Sequence, residues 1–331
     1  MRVNWRLLVG IVISFAALAL ILKDVSLPGL MQQLAKGHYV WMIPNAAALL
    51  LGMGGRAVRW HILLNRRLPV SRAFNILNAG NLLNNVLPLR LGEFAKVYMA
   101  SRNSPVTIMQ SLSTVLIERL LDVLTVFVML LLVLPHLPKG GVIVAAAQIA
   151  ASLALLAIVG LLVAAAFRER TMGMVRSAAA RLPARVQEQV VRRFDDFLEG
   201  ASAARGKALI AAIGWSVVTW IGFGLSCYTS TLAFVPDAPW YVGGFVNCAI
   251  VLGLTIPSAP AGAGLYEAAA VAALVVFGVS NETALASALV LHLSTFAIAA
   301  VLGVIGLDRE GESFKHLAAA ASRVAHPGPT R

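Results

Sequence analysis

Charge is scarce in this sequence: Asp, Glu, Lys and Arg supply 13% of its 331 residues, whereas a soluble domain carries about a quarter. A chain of this length would suit two soluble domains, but the missing charge and the 59% of apolar residues exclude that reading. Cysteine is nearly absent too. Cys227 and Cys248 both lie in apolar runs without metal-ligand spacing, which marks them as small buried hydrophobes. There is no Walker A loop, no HExxH, and no serine or cysteine nucleophile with a histidine partner nearby. These absences leave no enzyme motif and no cofactor to assign. Any energy source is then an ion gradient, an electrical potential or the gradient of the substrate itself.

What the chain has in plenty is long apolar runs. A bilayer core about 30 Å thick needs roughly 20 apolar residues in a helix. Eight segments qualify or nearly do, at 6–22, 39–60, 109–134, 141–166, 208–234, 240–257, 265–279 and 283–307. The expected fold is an all-α polytopic membrane protein of about eight transmembrane helices, with one or two re-entrant or broken elements and an inverted repeat to test for. No small-x-small cleavage site follows the first run, so it reads as an uncleaved span. The membrane domain is placed at 1–308 and a short cytoplasmic tail at 309–331.

The formal charge of +12 sits mostly in short stretches between the runs, without zinc-finger spacing or an aromatic-interleaved basic strand. Nucleic acid is therefore not an expected partner. With the N-terminus cytoplasmic, 21 of the 27 Lys and Arg residues fall on the cytoplasmic side and 3 on the outer side. That bias puts both termini in the cytoplasm and the chain in the cytoplasmic (inner) membrane. Residues 167–207 form the one substantial polar segment. Phe194, Phe197 and Leu198 recur there at helical spacing among charges, as in an amphipathic linker on the cytoplasmic surface.

The orientation requires residues 73–101 to enter and leave on one side. Asn75, Asn78, Asn81, Asn84 and Asn85 are followed by Pro88, Arg90, Gly92 and Glu93. Lipid-facing helix cannot carry so many polar groups, so this reads as a re-entrant hairpin turning near 87–92. Proline and glycine break the helix there, and Arg90 supplies a fixed charge that can fork onto a phosphate. Glu93 can neutralise Arg90 or Lys96.

Two more constellations stand at membrane depth. Glu118 and Asp122 are four residues apart on one helix face, and Arg119 can pair with Asp122. They can serve a substrate or simply bond span 3 to the hairpin. Pro257, Gly262 and Gly264 interrupt the run before Glu267, and no Lys or Arg occurs from 208 to 308 to mark a surface. A break inside the membrane is expected, with Glu267 in the first turn of the next helix, against the alternative of an ordinary surface turn. The first and third constellations share an order of Pro, Gly and Glu, and interrupted segments in two halves of a chain point to a transporter site. His292 reads as an interior hydrogen-bonded histidine. Arg56 and Arg59, among Gly52, Gly54 and Gly55, mark close helix packing and the cytoplasmic boundary, and both can face a lipid phosphate.

The Asn84–Glu93 motif, Glu118-Arg119 with Asp122, and the Pro- and Gly-rich stretch ending at Glu267 resemble the lysylphosphatidylglycerol synthase transmembrane (flippase-like) family over residues 5–308. The resemblance implies a flippase that moves a phospholipid or lipid-linked headgroup between leaflets. The alternatives are a membrane-embedded lipid-modifying transferase and an accessory subunit of a lipid or glycolipid pathway. Bifunctional relatives carry a soluble aminoacyl-transferase domain after the membrane part. Only about 24 residues follow the last span here, so the synthase activity is expected to be absent. The expected partners are membrane lipids, with a homo-oligomer and lipid-biosynthesis enzymes as further candidates. Arg90 and Arg119, with Arg56 or Arg59, would hold an anionic headgroup, while Glu93, Asp122 and Glu267 balance or gate the charge.

Overall fold

The computed structural model describes residues 5–86, 91–102, 104–137, 168–180, 207–256 and 258–314, with isolated positions between them and at 316–317. Pro88, Arg90 and Pro257, most of the expected span 141–166, and Phe194, Phe197 and Leu198 lie outside the described residues. Among those described the secondary structure is helical, without strands. The helices are α1 (Trp5–Leu22), α2 (Leu27–Lys36), α3 (Met42–Leu63), α4 (Val70–Val86), α5 (Gly92–Ser101) and α6 (Ile108–Val133). They continue as α7 (Arg168–Ala179), α8 (Lys207–Leu232), α9 (Tyr241–Gly253), α10 (Leu265–Val275) and α11 (Asn281–Arg309).

Two of these, α8 and α11, are long and apolar enough to cross a membrane on their own. A third candidate is the pair α1–α2, bent by 85°. Helices α3 and α6 have the length, at 22 and 26 residues, but carry buried charge. Outward faces are apolar: Phe15, Ile43, Leu132, Ile221, Leu293 and Val301 are all exposed. A surface so oily is stable where lipid covers it.

The runs 240–257 and 265–279 depart from the expected separate crossings. At 13 and 11 residues, α9 and α10 rise only about 20 and 17 Å, well short of a hydrocarbon core. They fold back on one another instead. At the closed end Gly253 abuts Ala269. At the open end Phe277 packs on Tyr241 and Phe245, with ring centroids 6.0 and 5.7 Å apart.

Helices α4 and α5, earlier in the chain, also make an antiparallel hairpin, the first of the two. Near its closed end Asn84 Oδ1 accepts the Gly92 backbone N–H at 2.8 Å. A Cβ on Gly92 would lie 2.0 Å from the Gly80 carbonyl oxygen, so only glycine permits this approach. At the open end an Arg72 guanidinium nitrogen donates to the Arg102 carbonyl at 2.8 Å. The end of α11 and the residues after it close over that end: Arg72 pairs with Glu310 at 2.9 Å and Arg102 with Glu312.

The hairpins open toward opposite ends of α6. Arg67, just before α4, reaches Gln110 at the start of α6 (3.2 Å), whereas His136, just past its end, packs on Trp240 and Tyr241. The turn at 260–262 of the second hairpin packs against α4 of the first.

Two large apolar cores, and a smaller one of Leu63, Ile117, Leu121 and Ala212, support these elements among the described residues. One gathers Phe127, Leu130, Trp220, Phe245, Leu274 and Leu285, and includes Cys227 and Cys248 as small buried hydrophobes, in line with the expectation. The other gathers Trp60, Ile76, Leu83, Met99 and Leu307 between α3, α4, α5 and the end of α11. Close packing of α3 on α8 uses Gly52, which meets Phe223, and Gly55, which meets Thr219. Gly54 faces open space and takes no part.

Candidate functional site

Helix α6 begins with a capping box: Thr107 accepts from Gln110 N–H, and the Gln110 side chain accepts from Thr107 N–H. From that fixed start Glu118 lies about 15 Å along the helix axis, with Arg119 beside it and Asp122 on the next turn. Glu118 and Asp122 are both buried. Burying carboxylates is tolerated only where cations and hydrogen bonds compensate them, and α3, α5 and α8 supply those partners.

Glu118 takes Lys96 Nζ of α5 at 2.7 Å and lies 3.7 Å from an Arg59 nitrogen of α3. Asp122 receives Arg59 at 2.8 Å, Arg56 at 3.3 Å and Arg119 at 3.5 Å. Trp220 Nε1 of α8 also donates to it, at 3.1 Å. Arg59 donates further to Ser216 Oγ at 3.0 Å. Glu93 closes the network, 2.6 Å from Arg119 and 3.2 Å from Lys96. Lys96 stands 5.0 Å above the Trp60 ring and Arg56 stands 5.5 Å from the Phe223 ring. Both cations therefore gain an aromatic face as well as a carboxylate.

Four cations thus face three carboxylates: Arg56, Arg59, Lys96 and Arg119 against Glu93, Glu118 and Asp122. One positive charge is in excess among these residues. A narrow cleft, with room for about one water molecule, runs between this cluster and the first hairpin. Arg56, Glu93, Lys96, Glu118 and Arg119 line one wall, and Gly80, Asn81, Asn84 and Gly92 line the other. Burial is graded across it: the Glu118 side chain is 2% exposed, while Arg119 at the mouth is 43% exposed. A guanidinium at such a mouth can exchange one carboxylate partner for a bidentate contact with phosphate.

The sequence expectations meet here with corrections. Glu93, Glu118, Arg119 and Asp122 do come together: Glu118 and Arg119 bond α6 to the hairpin through Lys96 and Glu93, while Asp122 bonds it to α3 and α8. Arg59 does not face lipid; it is wholly buried between two carboxylates. Arg56 also belongs to the network, although it borders the cleft. Asn84 fixes the first turn of α5, and Asn85 is half-buried beside it. Lys96, Ser216 and Trp220 join the site without being among the sequence candidates for it. Lys96 was legible, being the one lysine at membrane depth, whereas a serine or tryptophan within an apolar helix carries no sequence signal.

Glu267 lies apart from this cluster. Its Oε2 accepts the Gly264 backbone N–H at 2.8 Å, in the first turn of α10, and its Oε1 stands 2.6 Å from His292 Nδ1. Gly262, Gly264 and Ala261 all have positive φ, at 77°, 85° and 59°. The turn packs on the middle of α1. Ala259 N–H donates to Ser14 Oγ at 2.8 Å, and a Cβ on Gly264 would come 2.4 Å from the Ser14 carbonyl oxygen. The break is therefore level with the midpoint of an apolar 18-residue helix.

Comparison with curated proteins and with solved structures returns no significant match. The sequence profile described as lysylphosphatidylglycerol synthase TM region matches residues 7–303, most of the chain. The protein is therefore a helical membrane protein that belongs to the lysylphosphatidylglycerol synthase TM region family.

Proposed function

We propose that this protein is a lipid carrier that moves an anionic or lipid-linked headgroup across the cytoplasmic membrane. One observation carries the reading: a cleft lined by an ion-pair network with one excess cation, on a hairpin whose two ends meet on the same side. A phosphate entering at Arg119 would complete the charge balance without removing the buried pairs beneath it. Acyl chains would stay in lipid along the exposed apolar faces while the headgroup follows the polar wall of Asn81 and Asn84.

Two short hairpins opening to opposite ends of α6 favour an inverted arrangement, in which each leaflet has its own entrance. With the first hairpin opening to the cytoplasm, both termini are cytoplasmic and the eight-segment topology becomes six crossings and two hairpins. Glu93, Glu118 and Asp122 are each held by cations, which suits charge balance better than general-base chemistry, so the chain acts as a carrier and not as an enzyme. Its substrates are membrane lipids of the inner membrane.

The test is a headgroup-accessibility assay in proteoliposomes containing fluorescent phosphatidylglycerol, with phosphatidylcholine as the zwitterionic control. The expected result is leaflet exchange of phosphatidylglycerol, reduced severalfold by Arg119→Ala in protein that remains folded. Exchange no faster than in protein-free vesicles, for either lipid, overturns the proposal.

A further inference from the structure

Against the turn of the second hairpin, α11 sets a histidine, His292, whose surroundings demand a proton. Both nitrogens of His292 face acceptors: Nδ1 is 2.6 Å from Glu267 Oε1, and Nε2 is 3.2 Å from the Ala261 carbonyl oxygen. A carbonyl can only accept, and so can an ionised carboxylate. Two ring N–H groups are then required, giving an imidazolium beside a carboxylate. If the carboxyl carries the proton instead, the pair still holds the same number of protons. The geometry is that of a loaded pair in either description.

Losing that proton cannot leave the geometry intact. A neutral ring that keeps its Nε2–H turns a lone pair toward Glu267 Oε1 at 2.6 Å. A neutral ring that keeps its Nδ1–H turns one toward the Ala261 carbonyl. In both cases one strap on the turn is lost, and Ala261 is held at a φ of 59° that a non-glycine residue rarely adopts. Glu267 holds the same turn through the Gly264 N–H, and the turn packs against α4, which lines the cleft.

Among the described residues, the ionisable groups facing the ring are Glu267 and Tyr266 of α10, with Tyr266 stacked on it at 4.1 Å. Helix α1 brings Ser14 to the turn, and α4 meets α11 lower down through Asn75, Asn78 and Leu82. Helix α2 meets α11 at Glu282 through Ser26, and α8 places Cys227 near Tyr266.

We propose that His292 and Glu267 form a proton-binding site that couples proton exchange to movement of the 258–264 turn, and so to headgroup passage. The coupling rests on the carrier reading above; the proton site does not. Two measurements separate them. In the first, ¹⁵N spectra of His-labelled protein in nanodiscs are followed from pH 5 to 9, with the His292 signals assigned by His292→Gln. A change of ring protonation within that range, moved by Glu267→Gln, is expected; an unchanging ring overturns the site.

In the second, phosphatidylglycerol exchange is measured with and without a gradient of about one pH unit, a tenfold ratio of proton activity. The wild type should change rate severalfold with the gradient, and His292→Gln should exchange lipid at a rate indifferent to it. A wild type indifferent to the gradient, or a His292→Gln that still responds, overturns the coupling and leaves the carrier standing. A wild type with no exchange at all overturns the carrier and the coupling with it, while the ring spectra still decide the proton site.

Discussion

Lys96 Nζ of α5 and Glu118 Oε2 of α6 meet at 2.7 Å with both side chains buried. This contact bonds a helix that only enters the helical layer to one long enough to cross it. Removing Glu118 leaves the buried Lys96 only the longer contact to the more exposed Glu93 at 3.2 Å, a loss that approaches the cost of about 3–5 kcal/mol for a broken buried pair. Glu118→Ala should therefore lower the unfolding midpoint in detergent strongly. Replacing both residues together, as Lys96→Met with Glu118→Leu, should recover much of the loss, because the lysine is no longer left without its partner. A double variant as unstable as the single would show that the loss of the Lys96 contact is not what destabilises Glu118→Ala.

Glycine 92 has a second, steric role. Its added Cβ would lie 2.0 Å from the Gly80 carbonyl oxygen and 2.6 Å from Asn84 Oδ1. Gly92→Ala should pry the hairpin apart at a cost of about 1–3 kcal/mol, the range for overpacking. Gly54→Ala is the control, since that position meets nothing within 4 Å. It should be neutral or stabilising by up to about 1 kcal/mol through helix propensity. Thermal unfolding of the two variants side by side checks both signs.

Topology can be read by cysteine labelling, because the native Cys227 and Cys248 are buried. Cysteines at Ser71 and Pro105, at the open end of the first hairpin, should react with an impermeant maleimide from the same face. Cysteines at Asp237 and Ser280, flanking the second hairpin, should react from the opposite face. Labelling of Ser71 and Pro105 from different faces would mean that residues 73–101 cross the membrane.

Depth offers a further check. Ala263 is exposed yet sits in the turn that packs on Ser14, near the middle of α1. A spin label there should show the high oxygen and low nickel-chelate accessibility of the bilayer centre, whereas one at the exposed Trp240 should show interfacial values. Equal accessibility at the two positions would return the 258–264 turn to the surface.

Much of this was legible from residue types alone. Five asparagines ahead of Pro88 and Gly92 announced a hairpin, because a lipid-facing helix cannot satisfy them. Glu118 and Asp122 four residues apart announced a buried face, and the spacing of Arg119 to Asp122 gave their contact directly. Arg56 and Arg59 were not legible in the same way, because charge at the end of an apolar run looks the same whether a loop or a buried carboxylate receives it. The lengths of α9 and α10 escaped the sequence for a related reason: apolar residues outside a helix still raise the hydropathy of the window.

The sequence by itself determined that this chain is helical, lives in lipid, and breaks its helices at two polar, glycine-containing segments. Composition and helical period are local properties, and the cost of unpaired polar groups in hydrocarbon does not depend on the rest of the fold. Only the tertiary structure decided which charges cancel, that Arg59 sits between Glu118 and Asp122, and that His292 carries Glu267 on one nitrogen and Ala261 on the other. Those pairings join residues tens of positions apart. They depend on how α3, α5, α6, α10 and α11 pack, which no local pattern encodes.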